Sequence, residues 1–243
     1  MRSLFIALGF LTSIPVRTSA PHPGDLGRAA IWFPFVGVII GALLVGAQLI
    51  LTRFFAPLLA GALIVVVWIA LTGGLHLDGL ADCGDGLLSA TSRERRLEIM
   101  RDPRLGTFGG TVLIMHLLIK TLAVAAAMAA LTAPIALLLA PALARWLMLF
   151  VARQPAARPG GLGAAFSAGL PKTSWIGAAI IPLLLLVPGA PRSIFAAIAA
   201  VLVMLGIIRL ARSRLGGVTG DVLGMTIEVV EVVVLLVFCM QTA

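Results

Sequence analysis

Between residues 29 and 51 the chain runs for 23 positions without one charged side chain, and the same pattern recurs to its end. A helix needs roughly 20 consecutive apolar residues to cross the hydrocarbon core of a bilayer. Further apolar runs occupy about 58–72, 107–130, 134–151, 174–187, 194–210 and 222–240. Composition agrees: 60% of residues are hydrophobic and 12% charged, against about 25% charged in soluble domains. Such a chain lacks the polar residues to cover a globule in water. The predicted fold class is all-α, a polytopic transmembrane helical bundle of six or seven spans, with residues 1–243 forming one membrane-embedded domain. The fifth run is short, and if it is re-entrant the count is six.

The first 28 residues loosely resemble a signal peptide: Arg2, an apolar stretch over 4–11, then the small residues Thr18, Ser19 and Ala20. Pro15 and Arg17 interrupt the approach to a cleavage point. The expectation is a retained segment lying at the membrane interface, as its short apolar stretch suits. The formal net charge of +8 raises nucleic-acid binding, but the basic residues are spread among loops and form no concentrated arm or helix. Alternating the spans puts fourteen of the eighteen Lys and Arg on one face. Arg53 and Arg192 are left on the other, and Lys120 and Arg145 inside spans. This is the positive-inside pattern. It predicts a lipid-bilayer partner, no nucleic acid, and a cytoplasmic N-terminus and long loops. Cys83 and Cys239 have no metal-ligand spacing.

Between the second and third runs lies a charged island, residues 73–110. It holds six of the chain's ten carboxylates: Asp78, Asp82, Asp85, Glu94, Glu98 and Asp102. On a helix, Asp78, Asp82 and Asp85 fall within about 60° of arc. Three carboxylates on one face repel unless a cation sits among them, and hard oxygen ligands suit Mg²⁺ bridging to phosphates. The simpler reading is a solvated acidic helix end. His76, on roughly the opposite face, is a candidate general base or a structural hydrogen bonder. Arg101 and Arg104 bracket Asp102 just before a glycine-rich span start. Arginine forks and open backbone N–H groups at Gly106 and Gly109 suit a phosphate, with Asp102 in support; the alternative is positive-inside anchoring.

A second acidic cluster, residues 216–231, carries Asp221, Glu228 and Glu231 within about 80° of helical arc. Glutamates inside an apolar span are costly and functional by default; pairing with Lys120 or Arg145 is the structural alternative. Asp221 is assigned to the site, and Glu228, Glu231 and Lys120 to its support. Asp25 reads as a loop charge. Two carboxylate clusters, arginines and glycines at one membrane face suit a metal-assisted transferase acting on a phosphate ester.

These motifs, HLDGLAD-x-x-DG at 76–86, EIMRD-x-RLGT-x-GG at 98–110 and GG-x-TGD-x-LG at 216–224, resemble the cobalamin synthase family, the adenosylcobinamide-GDP ribazoletransferases. FLTSIPV at 10–16 is similar to that family's opening, which argues against cleavage. The resemblance spans nearly the whole chain. It implies that α-ribazole, or its 5′-phosphate, attacks the cobinamide-bound phosphate of adenosylcobinamide-GDP and releases GMP, with Mg²⁺ as cofactor. It also implies a multi-pass protein of a bacterial or archaeal cytoplasmic (inner) membrane with its active site on the cytoplasmic side. On this reading Asp78, Asp82, Asp85 and Asp221 are metal ligands, with His76, Asp82 and Asp221 catalytic. The oligomeric state is left open, a homo-oligomer included. A CDP-alcohol phosphotransferase is the alternative, although its D-x2-D-G-x2-A-R signature is absent; a transporter using intramembrane carboxylates is a third.

Overall fold

A computed structural model describes residues 2–17, 22 and 24–240; Thr18, Ser19 and Ala20 of the signal-like stretch lie outside them. In chain order the helices are α1 (Arg2–Leu11), α2 (Asp25–Ala29), α3 (Phe33–Leu51), α4 (Pro57–Thr72), α5 (Leu75–Leu88) and α6 (Arg93–Ile99). They continue with α7 (Thr107–Ala129), α8 (Ala133–Val151), α9 (Gly161–Gly169), α10 (Ser174–Leu186), α11 (Arg192–Leu215) and α12 (Gly220–Cys239). A 3₁₀ turn, Ala30–Trp32, joins α2 to α3. Among the described residues there is no β-strand, only an isolated parallel bridge between Ala156 and Val218. The all-α bundle expected from the apolar runs is what the chain forms.

Five helical segments are long and apolar enough to cross a bilayer: α2–α3, α7, α8, α11 and α12. Two more come from bent pairs, α4 with α5 at 96° and α9 with α10 at 100°. Counting each bent pair as one span gives up to seven passes. α12 starts with Gly220 beside Gly163 and ends with Phe238 beside Gly189. The Phe238 carbonyl there accepts a 3.2 Å bond from the Thr132 hydroxyl at the turn between α7 and α8. The end of α12 is therefore on the face opposite α1, the island and the 152–173 segment.

The bundle is built around α8 and α12, the two most enclosed spans. Because lipid tails are as apolar as leucine, helices in a membrane associate through close packing more than through hydrophobicity. Gly37 and Gly41 of α3 supply it. A Cβ at either would stand 2.5 Å from the carbonyl oxygen of Pro141 or of Leu137 on α8. The outward sides of α7 and α11 expose Ile114, Leu118, Leu122, Leu202 and Leu205, the apolar surface a bilayer covers.

Two details depart from the sequence reading. The Gly- and Pro-rich segment 152–172, which lies between two of the apolar runs, winds its later part into α9. There Gly169 packs on Gly24 and Gly163 on Gly220 so tightly that a Cβ would stand 2.7 Å from the facing backbone. Tertiary contact overrides the weak helical propensity of glycine. Asp25, read as a loop charge, holds Arg28 at 2.6 Å and Arg2 at 3.0 Å, and so fastens α1 to α2. α1 itself buries Ile6, Ala7 and Leu11.

Candidate active site

α4 ends on two consecutive glycines in the left-handed region, Gly73 at φ +64° and Gly74 at +70°, which L-residues rarely adopt. They turn the chain through the 96° bend and lay α5 across the N-terminal ends of α7 and α12. Gly79 makes the crossing with α12 possible, since a Cβ there would come within 2.8 Å of the Asp221 carbonyl oxygen. Asp221 follows the N-cap Thr219, whose hydroxyl donates to its Oδ2 at 3.0 Å and accepts from the Val222 N–H. The two acidic motifs, separated by more than a hundred residues, thus meet at one helix crossing. Asp82 lies within electrostatic reach of Asp78, Asp85 and Asp221, and of the cation Arg158.

Asp85 has a different task from its neighbours. Its two carboxylate oxygens accept the backbone N–H groups of Gly106 and Gly109, each at 2.8 Å, and cap the N-terminus of α7. A Cβ at Gly106 would lie 2.3 Å from Asp85 Oδ1, and one at Gly109 2.4 Å from Oδ2. The glycines expected to cradle a phosphate instead make room for a carboxylate of the protein itself. Both oxygens of Asp85 are thereby engaged by backbone donors. The sequence reading expected a phosphate at this helix start, where the Asp85 carboxylate now accepts both N–H groups.

The arginines sort in a similar way. Arg104 forms a two-pronged pair with Asp102, at 2.9 and 2.6 Å, and its guanidinium holds the Asp102 carboxyl down at about 2. With an Arg104 side chain 87% exposed, this is a surface pair of small energetic weight. Arg101 is also exposed. Neither Arg101 nor Arg104 lines the cavity at the α5–α12 crossing. The arginine that does reach the carboxylates is Arg158, 3.5 Å from Asp221 and donating to the Leu97 carbonyl at 3.2 Å. It is brought there by paired backbone bonds, Ala157 N–H to Val218 O at 2.8 Å and Val218 N–H to Pro155 O at 2.9 Å. Sequence reasoning counted Arg158 as one loop charge among many, since nothing near it in the chain signals this pairing.

Deeper in the bundle, α12 presents Glu228 and Glu231 to α7 and α8. Lys120 Nζ stands 2.8 Å from Glu228 and 2.7 Å from Glu231. Arg145 reaches Glu231 at 2.8 Å and His116 reaches Glu228 at 2.7 Å. All five residues are buried, and Lys120 also sits 4.2 Å above the Trp68 ring. Two cations offset two anions where an unpaired charge would be very costly. His116 went unnoticed in the sequence, although its i, i+4 spacing to Lys120 places both on one helix face.

Between α1, α5, α8 and α12 lies a cavity of about 200 Å³, with Asp78, His76 and Asp221 among its lining residues. Asp78 is exposed and Asp82 half-buried; neither carboxylate has a hydrogen bond or ion pair among the described residues. His76 is only 4% exposed, and its Nε2 has no partner among them either. Among the described residues, no three His, Cys, Asp or Glu side chains stand close enough to cage a metal ion. Mg²⁺ seldom uses an all-protein cage, and usually takes one or two carboxylates plus substrate phosphates. The hard oxygen donors Asp78, Asp82 and Asp221, two of them unpaired, fit a cation held in that shared way.

The family model for cobalamin-5-phosphate synthase matches residues 3–239. Relatives named adenosylcobinamide-GDP ribazoletransferase include one from Stutzerimonas stutzeri, 43% identical over 99% of both chains. One from Pseudomonas paraeruginosa is 44% identical over 97% of this chain and 96% of its own. A third, from Pseudomonas putida, is 40% identical over the whole of both. No solved structure matches.

Proposed function

The chain belongs to the cobalamin-5-phosphate synthase family, and on that premise we propose that it transfers the adenosylcobinamide phosphate moiety of adenosylcobinamide-GDP to α-ribazole or α-ribazole 5′-phosphate, releasing GMP. The observation that carries this reading is the meeting of Asp78, Asp82, Asp221 and Arg158 beside a cavity at one helix crossing. Here a free ribose hydroxyl of the alcohol loses its proton and forms a bond to the cobinamide-linked phosphorus, and the bond from that phosphorus to the oxygen of GMP breaks. Displacement at a diphosphate needs positioning and charge compensation more than a covalent nucleophile.

The residues divide that work. Asp78, unpaired and lining the cavity, accepts the hydroxyl proton. Arg158, with one N–H already fixed to the Leu97 carbonyl, leaves its Asp221 contact to take a phosphate oxygen; a guanidinium fork suits that geometry. Asp82 and Asp221 are the side chains that would hold Mg²⁺, with Asp78 beside them. When bound, the ion would neutralise diphosphate charge and stabilise the leaving phosphate. The glutamates that would serve a transporter are already ion-paired with Lys120 and Arg145, which favours the enzyme reading.

The face bearing the island also carries most of the basic residues, so this reading orients it to the cytoplasm of the bacterial or archaeal inner membrane. Purified protein supplied with adenosylcobinamide-GDP and α-ribazole should release GMP, and EDTA should stop the release until Mg²⁺ is restored. No GMP release with either form of ribazole would overturn the assignment.

A further inference from the structure

We propose that the cavity between α1, α5, α8 and α12 is the binding site for the planar aromatic base of the alcohol substrate. This deepens the transferase reading and rests on it. Apart from His76 and the two carboxylates, the lining is glycine or apolar: Phe10, Leu75, Met148, Leu223 and Ile227 are its large hydrophobic members. Its volume of about 200 Å³ suits a bicyclic ring and excludes a corrin macrocycle; the purines of adenosylcobinamide-GDP are bicyclic too, but their polar edges would go unpaired against this largely apolar lining, which suits the less polar base of α-ribazole.

The wall is held in place before anything binds. Phe10 stacks on Phe33 at 5.9 Å between centroids, and Phe33 stacks on Phe166 at 5.5 Å with the rings 5° apart. α1 is fastened to the bundle where the Ser13 hydroxyl donates to the Ala70 carbonyl at 2.5 Å. An aromatic wall fixed in this way offers a flat ring a stacking surface with little ordering cost. Apolar pockets that bind small molecules add a few convergent polar groups, and His76, buried with an unpartnered Nε2, is one on this wall. A base that carries a ring nitrogen supplies the partner that this atom lacks.

Position gives the third argument. Asp78 and Asp221 line the same cavity, so a base seated among Phe10, Leu223 and Ile227 keeps its attached ribose beside the carboxylates. The base then sets the orientation of the attacking hydroxyl, and N-terminal α1 becomes part of the alcohol site.

The test uses full-length protein in nanodiscs, with the two substrates varied independently. Leu223→Phe fills the cavity and should raise KM for α-ribazole at least about tenfold, leaving KM for adenosylcobinamide-GDP within about twofold. Leu223→Ala enlarges it and should shift relative kcat/KM toward ribosides with bulkier bases, which keeps the test intact if the larger side chain impairs folding. The free bicyclic base should inhibit the wild type competitively against α-ribazole. Unchanged α-ribazole KM in a folded Leu223→Phe, or equal changes for both substrates, would overturn the base site. So would competition by detergent or lipid chains without competition by the free base. Wild-type GMP release stands through all of these outcomes, so failure of the base site is distinguishable from failure of the transferase reading.

Discussion

The α-carbon of Gly79 stands against the main chain of Asp221, so close that a Cβ at 79 would lie 2.8 Å from the Asp221 carbonyl oxygen. That relationship sets how far apart the two acidic motifs are. Gly79→Ala should push α5 away from α12 and lower GMP release by about a hundredfold, the scale on which a displacement of roughly 1 Å acts. Thermal stability in detergent should change much less than turnover. Retained turnover would mean that the motifs work independently of their spacing.

Asp82 and Asp221 come from these two motifs and serve one site in the proposed reaction. Asp82→Asn and Asp221→Asn should each remove most activity and raise the Mg²⁺ concentration needed for half-maximal rate. Residues acting as a unit are non-additive, so the double variant should lose little beyond either single. Turnover of all three, titrated with Mg²⁺, decides it; multiplicative losses would separate the residues.

Asp85 should behave differently. Asp85→Asn leaves one acceptor oxygen for two backbone donors, Gly106 and Gly109, and sets an amide N–H against the other. The expected cost is about 0.5–2 kcal/mol, that of a lost helix cap, read as a lower midpoint of unfolding. Its Mg²⁺ titration curve should keep the wild-type midpoint. A shift matching that of Asp82→Asn would return Asp85 to the metal set.

Lys120 bridges Glu228 and Glu231 in the bundle interior. Lys120→Met leaves Glu228 with His116 alone and Glu231 with Arg145 alone, and breaking a buried pair from one side costs about 3–5 kcal/mol. The variant should be poorly stable in detergent, and adding Glu228→Gln should recover part of the loss. Thermal unfolding of the single and double variants measures this; no recovery would show that Lys120 contributes through packing on Trp68 instead.

Much of the architecture was legible in the chain. Bilayer-length apolar runs can satisfy their backbone groups in lipid only as helices, and the observed spans begin and end within a few residues of those runs. The acidic motifs were legible too, because charge is costly beside apolar spans and so marks itself. Partnership was not. Asp78, Asp82 and Asp85 read as one helical face, yet Asp85 is drawn off by two backbone N–H groups 21 and 24 positions further on. Arg101 and Arg104 read as the phosphate clamp, while Arg158, counted only as a loop charge, is the arginine beside Asp221.

The sequence by itself therefore determined a helical membrane bundle, the face carrying its charge, and the short list of acids from which a site could be made. The tertiary structure alone decided which acids remain free, which arginine meets them, and that a cavity opens beside them. The physical reason lies in range. Periodicity and hydropathy are local, carried by every turn of helix. A hydrogen bond or close glycine contact between distant segments depends on how helices cross, and no spacing along the chain encodes that.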